Sequence, residues 1–358
     1  MLKFSFSNNL HHKKKEKKLK IGIHSFASLE QPENNSADHR HQTIRNLLDR
    51  IHLSDEYGLD FYGIGEHHRR EYLDSAAHNI LSAASSITKN IILKSSVAVL
   101  SAADPVRLFQ NYATLDLLSK GRVQMVVGRA SFRESFPLFG LSFDDYNELF
   151  EEKLDLLLKI RDNTAVTWSG KFRPSLSGQE VHPRPYQQKI PIWIGVGGTP
   201  QSVVRAAKLG LPLMIAIIGG ETHRFRPLCD LYRQTWIDSG FKEEDIQIGV
   251  HSLGFVGTDG DKARESFFHG YKKSFTKIGL ERGWGPVTRQ SYDFLVSETG
   301  ALVVGDPSEV VEKIKAHSNS LGGITQFAFQ MSVAELAHQQ LSDSIKLIGD
   351  KVIPLLKS

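Results

Sequence analysis

Cysteine is almost absent from this chain. Cys229 is the only cysteine among 358 residues, so the chain can form neither an internal disulfide nor a cluster of cysteine metal ligands. The lack of disulfides fits a reducing, cytoplasmic setting. Because the chain has no dithiol of its own, any redox chemistry requires a bound cofactor.

Long apolar stretches are missing as well. No run reaches the roughly 18–20 residues that span a bilayer, and the first residues lack the apolar segment of a signal peptide. We therefore expect a cytoplasmic protein with no membrane partner. The net charge is +4, and much of the excess lies in residues 1–18, which we interpret as a flexible basic arm. Its lysine-rich part has no interleaved aromatic residues, so we expect no nucleic-acid partner.

Two common signatures of bound groups are also absent. The chain has no His-Glu-x-x-His spacing, and its one His-x-His, at residues 39–41, lies in a polar segment. We therefore expect no metal site. The Gly-x-Gly-x-x-Gly fingerprint of dinucleotide-binding domains is not found either.

Apolar, β-branched segments alternate with segments of helical periodicity along the chain. Such alternation predicts an α/β fold, and eight strand–helix units favour a (β/α)₈ barrel (TIM barrel) over a doubly wound open sheet. The predicted strands are Leu19–Phe26, Asp60–Gly65, Ile91–Leu100, Arg122–Val127, Ile190–Val196, Leu213–Ile218, Gln247–Val256 and Ile324–Gln330. The predicted helices include Thr43–Tyr57, Asp104–Leu118, Asp144–Ile160 and Pro307–Leu321.

The predicted barrel forms a single domain over residues 19–358. Two connections, after strands four and seven, are longer than ordinary barrel loops: residues 164–189 and residues 271–300. Long connections in a compact domain are often lids or binding elements, although they can also decorate the outside of a fold.

Polar side chains gather where the second strand ends, at Glu66-His67-His68. The carboxyl ends of barrel strands carry the chemistry of this fold, and histidine is the side chain that titrates near neutral pH. Successive strand residues point to opposite faces, so at most one of the two histidines faces a pocket. His67 is the candidate catalytic acid or base, and His68 is interpreted as structural.

The end of the fifth strand has the features of an anion site. Gly197 and Gly198 allow close approach of the backbone, and Thr199 precedes Pro200 at the start of a helix. Arg129, at the end of the neighbouring strand, would add a bidentate charge. Taken alone, Gly197-Gly198-Thr199 is a weak signal that a tight turn with a helix cap explains better, and Arg129 strengthens it.

In combination these motifs resemble the luciferase-like flavin-dependent monooxygenases, whose best-known member is the bacterial luciferase α subunit. The resemblance runs from Lys20 nearly to the C-terminus, and no single motif is specific. The matching segments are residues 66–68, 99–107, 115–122, 128–129, 191–195, 209–212 and 304–310.

The resemblance implies an enzyme that binds flavin mononucleotide (FMN) across the carboxyl ends of the strands. The flavin phosphate would lie on Arg129, Gly198, Thr199 and Ser202, with Gly197 beside it. The cofactor would also contact Ala27, Ser96, Val97 and Val99, and the Ser96–Val97 peptide would be cis. His67 matches the acid or base of luciferase. Gly128 replaces a cysteine of luciferase, which puts an aldehyde-type reaction in doubt.

The expected activity is a monooxygenase that uses reduced FMN and O₂ on a small organic substrate. Members of this family commonly form homodimers, and with no nicotinamide fingerprint the reduced flavin would come from a separate flavin reductase. Two alternatives remain open: hydride transfer with a deazaflavin coenzyme, and a flavin-binding protein without turnover. Glu221, which follows Gly219-Gly220, disfavours the anionic tail of a deazaflavin coenzyme.

Overall fold

The computed structural model describes residues 18–31 and 33–357. Residues 1–17 of the predicted basic arm lie outside the described residues. The strands are β1 (Lys20–Ser25), β2 (Phe61–Ile64), β3 (Ile92–Ser95), β4 (Ala98–Val99), β5 (Val123–Gly128), β6 (Ala165–Trp168), β7 (Leu176–Glu180), β8 (Ile192–Val196), β9 (Leu213–Ile217), β10 (Ile248–Val256), β11 (Val303–Gly305) and β12 (Gln326–Gln330).

Helices follow most of these strands. They are α1 (Ala37–Glu56), α2 (Ala77–Ile87), α3 (Pro105–Leu118), α4 (Ser135–Leu138), α5 (Tyr146–Asp162), α6 (Pro200–Lys208), α7 (Arg226–Asp238), α8 (Gly260–Arg282), α9 (Arg289–Val296), α10 (Pro307–Ser320), α11 (His338–Leu347) and α12 (Ile353–Lys357). Within residues 18–31 and 33–357, none of the helices has the length and apolar character needed to cross a membrane.

Eight strands close into a ring of parallel pairs. The order around the ring is β1, β2, β3, β5, β8, β9, β10, β12 and back to β1. β4 continues the third barrel strand beside β5, and β11 pairs with the end of β10. Each barrel strand overlaps one of the predicted strands, so the (β/α)₈ prediction is confirmed.

Local sequence signals fix the start of several helices. Asp104 accepts hydrogen bonds from the backbone N–H groups of Val106 and Arg107, and Pro105 occupies the first turn of α3. Asp306 and Glu309 form a reciprocal capping box at the start of α10. These side chains satisfy N–H groups that a helix leaves unpaired at its start.

The two long connections differ in structure. Within residues 164–189, β6 and β7 form an antiparallel hairpin that packs on α5, where the Trp168 indole N–H donates to the Asp155 carboxylate at 2.8 Å. Within residues 271–300 the chain first continues α8 as far as Arg282, so helix fills the first part of this segment. Tyr271, Phe275 and Ile278 stand at helical spacing, so apolar periodicity does mark this part of α8, which the reading of residues 271–300 as one long connection missed.

Two separate apolar clusters hold the barrel. The larger cluster lies between the outer faces of the strands and the surrounding helices. The smaller cluster fills the inside of the barrel and consists of Val126, Trp193 and Met214, with Val97 packed against it. The inside of the barrel also carries polar side chains, and several of them belong to the candidate functional site.

Candidate functional site

His67 lies at the barrel mouth, just after β2, and is held by a carboxylate that follows it in the chain. Its Nδ1 is 2.8 Å from Oδ2 of Asp74, and its backbone N–H donates to Oδ1 of the same residue at 3.0 Å. Asp74 is fully buried, and this burial raises the pKa of its carboxyl. Because the carboxylate accepts the Nδ1 proton, the Nε2 atom of His67 is left to exchange a proton with a bound molecule.

His68 makes contacts that differ from those of His67. Its Nε2 donates to Glu66 Oε1 at 3.2 Å, while Oε2 of Glu66 accepts the backbone N–H of Val99 at 2.9 Å. Glu66 therefore anchors β4. This arrangement fits the predicted structural role of His68 and gives Glu66 a defined contact.

An aromatic ring, that of Phe132, packs against His67. The Phe132 ring meets the His67 imidazole edge-on at 5.6 Å between centroids, and the guanidinium groups of Arg69 and Arg282 lie over it at 4.6 and 5.2 Å. Arg69 also pairs with Glu134 at 2.8 Å and with Glu281 at 2.6 Å. These contacts tie the loop after β5 and the end of α8 together above the mouth.

The floor of the mouth is apolar and closely packed. The Ser96–Val97 peptide is cis, as the resemblance predicts. A Cβ atom on Gly128 would lie 2.8 Å from the Val97 side chain, and one on Gly195 would lie 2.6 Å from it. The Val97 side chain therefore fills the space beside residue 128, which explains the glycine at this position.

The predicted anion site is assembled between β5 and β8. Arg129 donates to the Thr199 hydroxyl at 3.2 Å and to the Asn147 side-chain oxygen at 2.6 Å, and it stacks over the ring of Tyr146. Thr199 is the N-cap residue of α6. The structure thus places a guanidinium, a hydroxyl and a helix N-terminus together, and it adds Asn147 and Tyr146, which the sequence did not indicate.

The remaining predicted contacts lie around this site. An added Cβ on Gly197 or Gly198 would have no atom within 4 Å, so the backbone there borders open space. Ser202 is buried in the first turn of α6. Ala27 follows β1 with a φ of 48°, in the left-handed region, and is buried.

A second histidine pair inside the barrel was missed from the sequence. Nδ1 of His24, on β1, lies 2.9 Å from Nδ1 of His251, on β10, and the two rings stack at 5.1 Å between centroids. The buried Lys94 donates to Gln326 at 2.7 Å deeper in the barrel. Burial lowers the pKa of His251 to about 4, and the neighbouring His67 and Lys94 side chains add smaller contributions in the same direction.

Two clefts open beside the mouth. One, of about 360 Å³, is lined by Ser28, Arg70 and Tyr72 and by residues of α8. The Tyr72 ring packs against the His67 ring, with 4.7 Å between the ring centroids. The other, of about 290 Å³, lies between the end of β9 and residues 271–295 and is mostly apolar. Across the part of the chain that the structure describes, no three His, Cys, Asp or Glu side chains come close enough to hold a metal ion.

Comparison with known proteins assigns the family. The model of the luciferase-like monooxygenase family matches residues 23–324. The alkanal monooxygenase alpha chain of the Kryptophanaron alfredi symbiont is 26% identical, covering 88% of this chain and 94% of its own.

Two solved structures share the fold. The oxygenating constituent of 3,6-diketocamphane monooxygenase from Pseudomonas putida, in complex with FMN, superposes with a TM-score of 0.76 at 18% identity and covers 94% of this chain and 98% of its own. An F420-dependent secondary alcohol dehydrogenase superposes with a TM-score of 0.74 at 17% identity, covering 95% and 100%. The family match over most of the chain, together with this fold, shows that the protein belongs to the luciferase-like monooxygenase family.

Proposed function

We propose that this protein is a monooxygenase that uses reduced FMN and O₂ to oxidise a small organic substrate. The observation that carries the proposal is the cluster of Arg129, Thr199 and the α6 N-terminus, which stands across the mouth from the His67–Asp74 pair. The first group suits a phosphate, and the second suits proton transfer.

The residues present fit a flavin. Open space over Gly197 and Gly198 leaves room for a phosphate beside the guanidinium of Arg129, and buried Ser202 adds a hydroxyl in the same helix turn. The apolar floor formed by Val97 suits the face of an aromatic ring, next to Ser96 and Val99. The FMN complex of 3,6-diketocamphane monooxygenase, which shares the fold, supports this assignment.

His67 is the proposed acid–base residue of the reaction. Bound reduced FMN supplies the electrons for O₂ activation. Asp74 fixes the orientation of the His67 imidazole by accepting from both its Nδ1–H and its backbone N–H. Phe132, held under Arg69, keeps water from the outer face of the imidazole.

A deazaflavin coenzyme is the second candidate, because the F420-dependent alcohol dehydrogenase has the same fold. Its long anionic tail requires cations beyond the phosphate site. At the end of β9 this chain presents Glu221, which pairs with Arg224 at 3.5 Å. This carboxylate favours FMN as the coenzyme.

A separate reductase is the proposed source of reduced flavin, and a homodimer is the proposed assembly. Apolar side chains are exposed at the ends of the two helices that would form the interface: Ile87 on α2, and Leu117 and Leu118 on α3. Exposed apolar groups of this kind are often covered by a partner. Light scattering at micromolar concentration tests the dimer, and a monomer contradicts it.

Anaerobic titration with reduced FMN, and separately with reduced F420, tests the cofactor. We expect binding of FMN and at least tenfold weaker binding of F420. Exposure of the complex to O₂ with a panel of small organic substrates then tests turnover. Absence of affinity for FMN in either redox state refutes the proposal. Unchanged turnover in His67→Ala shows that this residue is not the acid or base of the reaction, and binding of FMN without any turnover indicates a flavin-binding protein.

A further inference from the structure

The His24–His251 pair faces the mouth from the wall opposite the anion site. In the ring of eight strands, Arg129 follows β5 and Gly198 follows β8, and the two strands farthest from these are β12 and β1. His24 stands on β1, and His251 stands on β10, the other neighbour of β12. A molecule anchored at Arg129 and extending across the mouth therefore points toward this wall.

The pair meets the mouth through His251. His24 is fully buried, whereas 7% of His251 is exposed. The Phe26 ring stacks on His251 at 5.9 Å and contacts His67 at 4.4 Å, so the three rings lie along one side of the mouth. With Nδ1 of His251 engaged by His24, Nε2 is the nitrogen that remains for a bound molecule.

We propose that His251 donates or accepts a hydrogen bond at the polar edge of the flavin ring, from the wall opposite the phosphate. This proposal rests on the proposed function. The flavin edge carries both carbonyl oxygens and an N–H group, so it needs a partner that can serve as donor or acceptor. An imidazole that is held at one nitrogen provides such a partner at the other.

Burial, reinforced by nearby positive charge, favours the neutral form of both rings. Burial, the positive charge of Lys94 and the neighbouring His251 place the pKa of His24 well below its ordinary value. Burial, His67 and Lys94 do the same for His251. A hydrogen bond between two neutral imidazoles has one protonated and one bare Nδ1, so His251 presents Nε2–H when its Nδ1 is bare and a bare Nε2 when its Nδ1 carries the proton.

His24 is accordingly a positioning residue. Its Nε2 has no hydrogen-bond partner among the described residues, and a Cβ on Gly63 would lie 3.1 Å from it. The contact with His251 is therefore the one hydrogen bond that the described residues give this imidazole, and it fixes the orientation of the His251 ring.

Nitrogen-15 NMR of the flavin-free protein tests the pair itself. We expect two neutral imidazoles between pH 6 and 8, assigned by loss of their signals in His24→Gln and His251→Gln. Addition of FMN should then shift the Nε2 resonance of His251. A positively charged His251 at pH 7, or an Nε2 resonance that does not move on saturation with FMN, overturns the proposal.

Binding of FMN and of riboflavin separates the ring contact from the phosphate contact. Because both flavins share the ring, His251→Leu should lower the binding affinity for both by the same factor, about 3- to 10-fold for one lost hydrogen bond. His251→Gln, which keeps a donor and an acceptor, should restore most of the affinity. Arg129→Met should weaken FMN alone.

His317 provides the matched control. It is also a buried histidine, but it lies on α10 and not on a barrel strand, and it is hydrogen-bonded to Thr222 at 3.0 Å, so His317→Gln should bind both flavins as the wild type does. If the wild type binds FMN and His251→Leu binds FMN and riboflavin as tightly as the wild type does, this proposal fails and the proposed function stands. If wild type binds neither flavin, the proposed function fails with it.

Discussion

Replacement of Asp74 by asparagine should reverse the hydrogen-bonding polarity of His67. In the wild type both oxygens of Asp74 accept, one from the backbone N–H and one from Nδ1–H of His67. Asparagine has a single oxygen. Because the backbone N–H can only donate, the asparagine oxygen must face it, and the NH₂ group then faces Nδ1. The imidazole responds by carrying its proton on Nε2, where the wild type has a bare nitrogen.

The fold should tolerate this change. Asparagine has nearly the shape of aspartate and keeps both hydrogen bonds, so the free energy of unfolding at pH 7 should stay within about 1 kcal/mol of wild type. Burial raises the pKa of Asp74 above 3.8 in the folded protein. Its stabilising contribution is therefore present below pH 3.8 and is lost as the pH rises through the folded pKa. Wild type should lose stability over that interval, and Asp74→Asn should not show this loss.

The activity should not tolerate it. Removal of a positioned acid–base group slows a reaction by about 10²- to 10⁴-fold, and we expect a loss in this range for oxidation of any substrate found in the panel. Nitrogen-15 NMR should show a protonated Nε2 on His67 in the variant. A bare Nε2 in Asp74→Asn, or a fall in stability of more than about 3 kcal/mol, refutes the reasoning.

Further predictions concern the floor and the anion site. Gly128→Ala should cost about 1–3 kcal/mol of stability, because its Cβ meets the Val97 side chain at 2.8 Å; Val97→Ala in the same chain should recover most of that cost, measured by urea unfolding. Gly197→Ala should keep the free energy of unfolding within about 0.5 kcal/mol of wild type, because no atom lies within 4 Å of the added Cβ. The same substitution should weaken the binding of FMN. Arg129→Lys should raise the FMN dissociation constant about 10-fold or more by titration, because lysine lacks the bidentate fork; equal affinity contradicts a phosphate at Arg129.

The barrel strands and several helix starts could be predicted from local sequence. Most barrel strands are apolar segments bounded by turn-forming residues, and the N-cap residues Asp104 and Asp306 indicate where the next helix begins. The start of α1 could not be predicted, because residues 37–42 are polar and mostly exposed. Their helix is held by its N-cap, Ser36, and by the apolar face that begins further along.

The candidate site was only partly predictable. His67 stands out because it ends an apolar strand in a polar cluster, whereas Asp74 lies in an irregular loop where no periodicity links it to His67. The signal for His24 and His251 was present but subtle. Each is a polar residue two positions after a glycine within an apolar strand, Gly22 and Gly249, and alternate residues share one face of a strand.

Glycines explain how these side chains fit inside a closed barrel. A Cβ on Gly63 would lie 2.6 Å from the His24 ring, and a Cβ on Gly65 would lie 2.9 Å from the Asp74 carboxylate and 3.0 Å from the His67 ring. Close packing leaves no slack for such atoms. Glycine is therefore required at both positions. Gly63, in β2, makes room for the His24–His251 pair, and Gly65, just after β2, makes room for the His67–Asp74 pair. Residues 63–68 thus make room for both of these side-chain pairs on one side of the mouth.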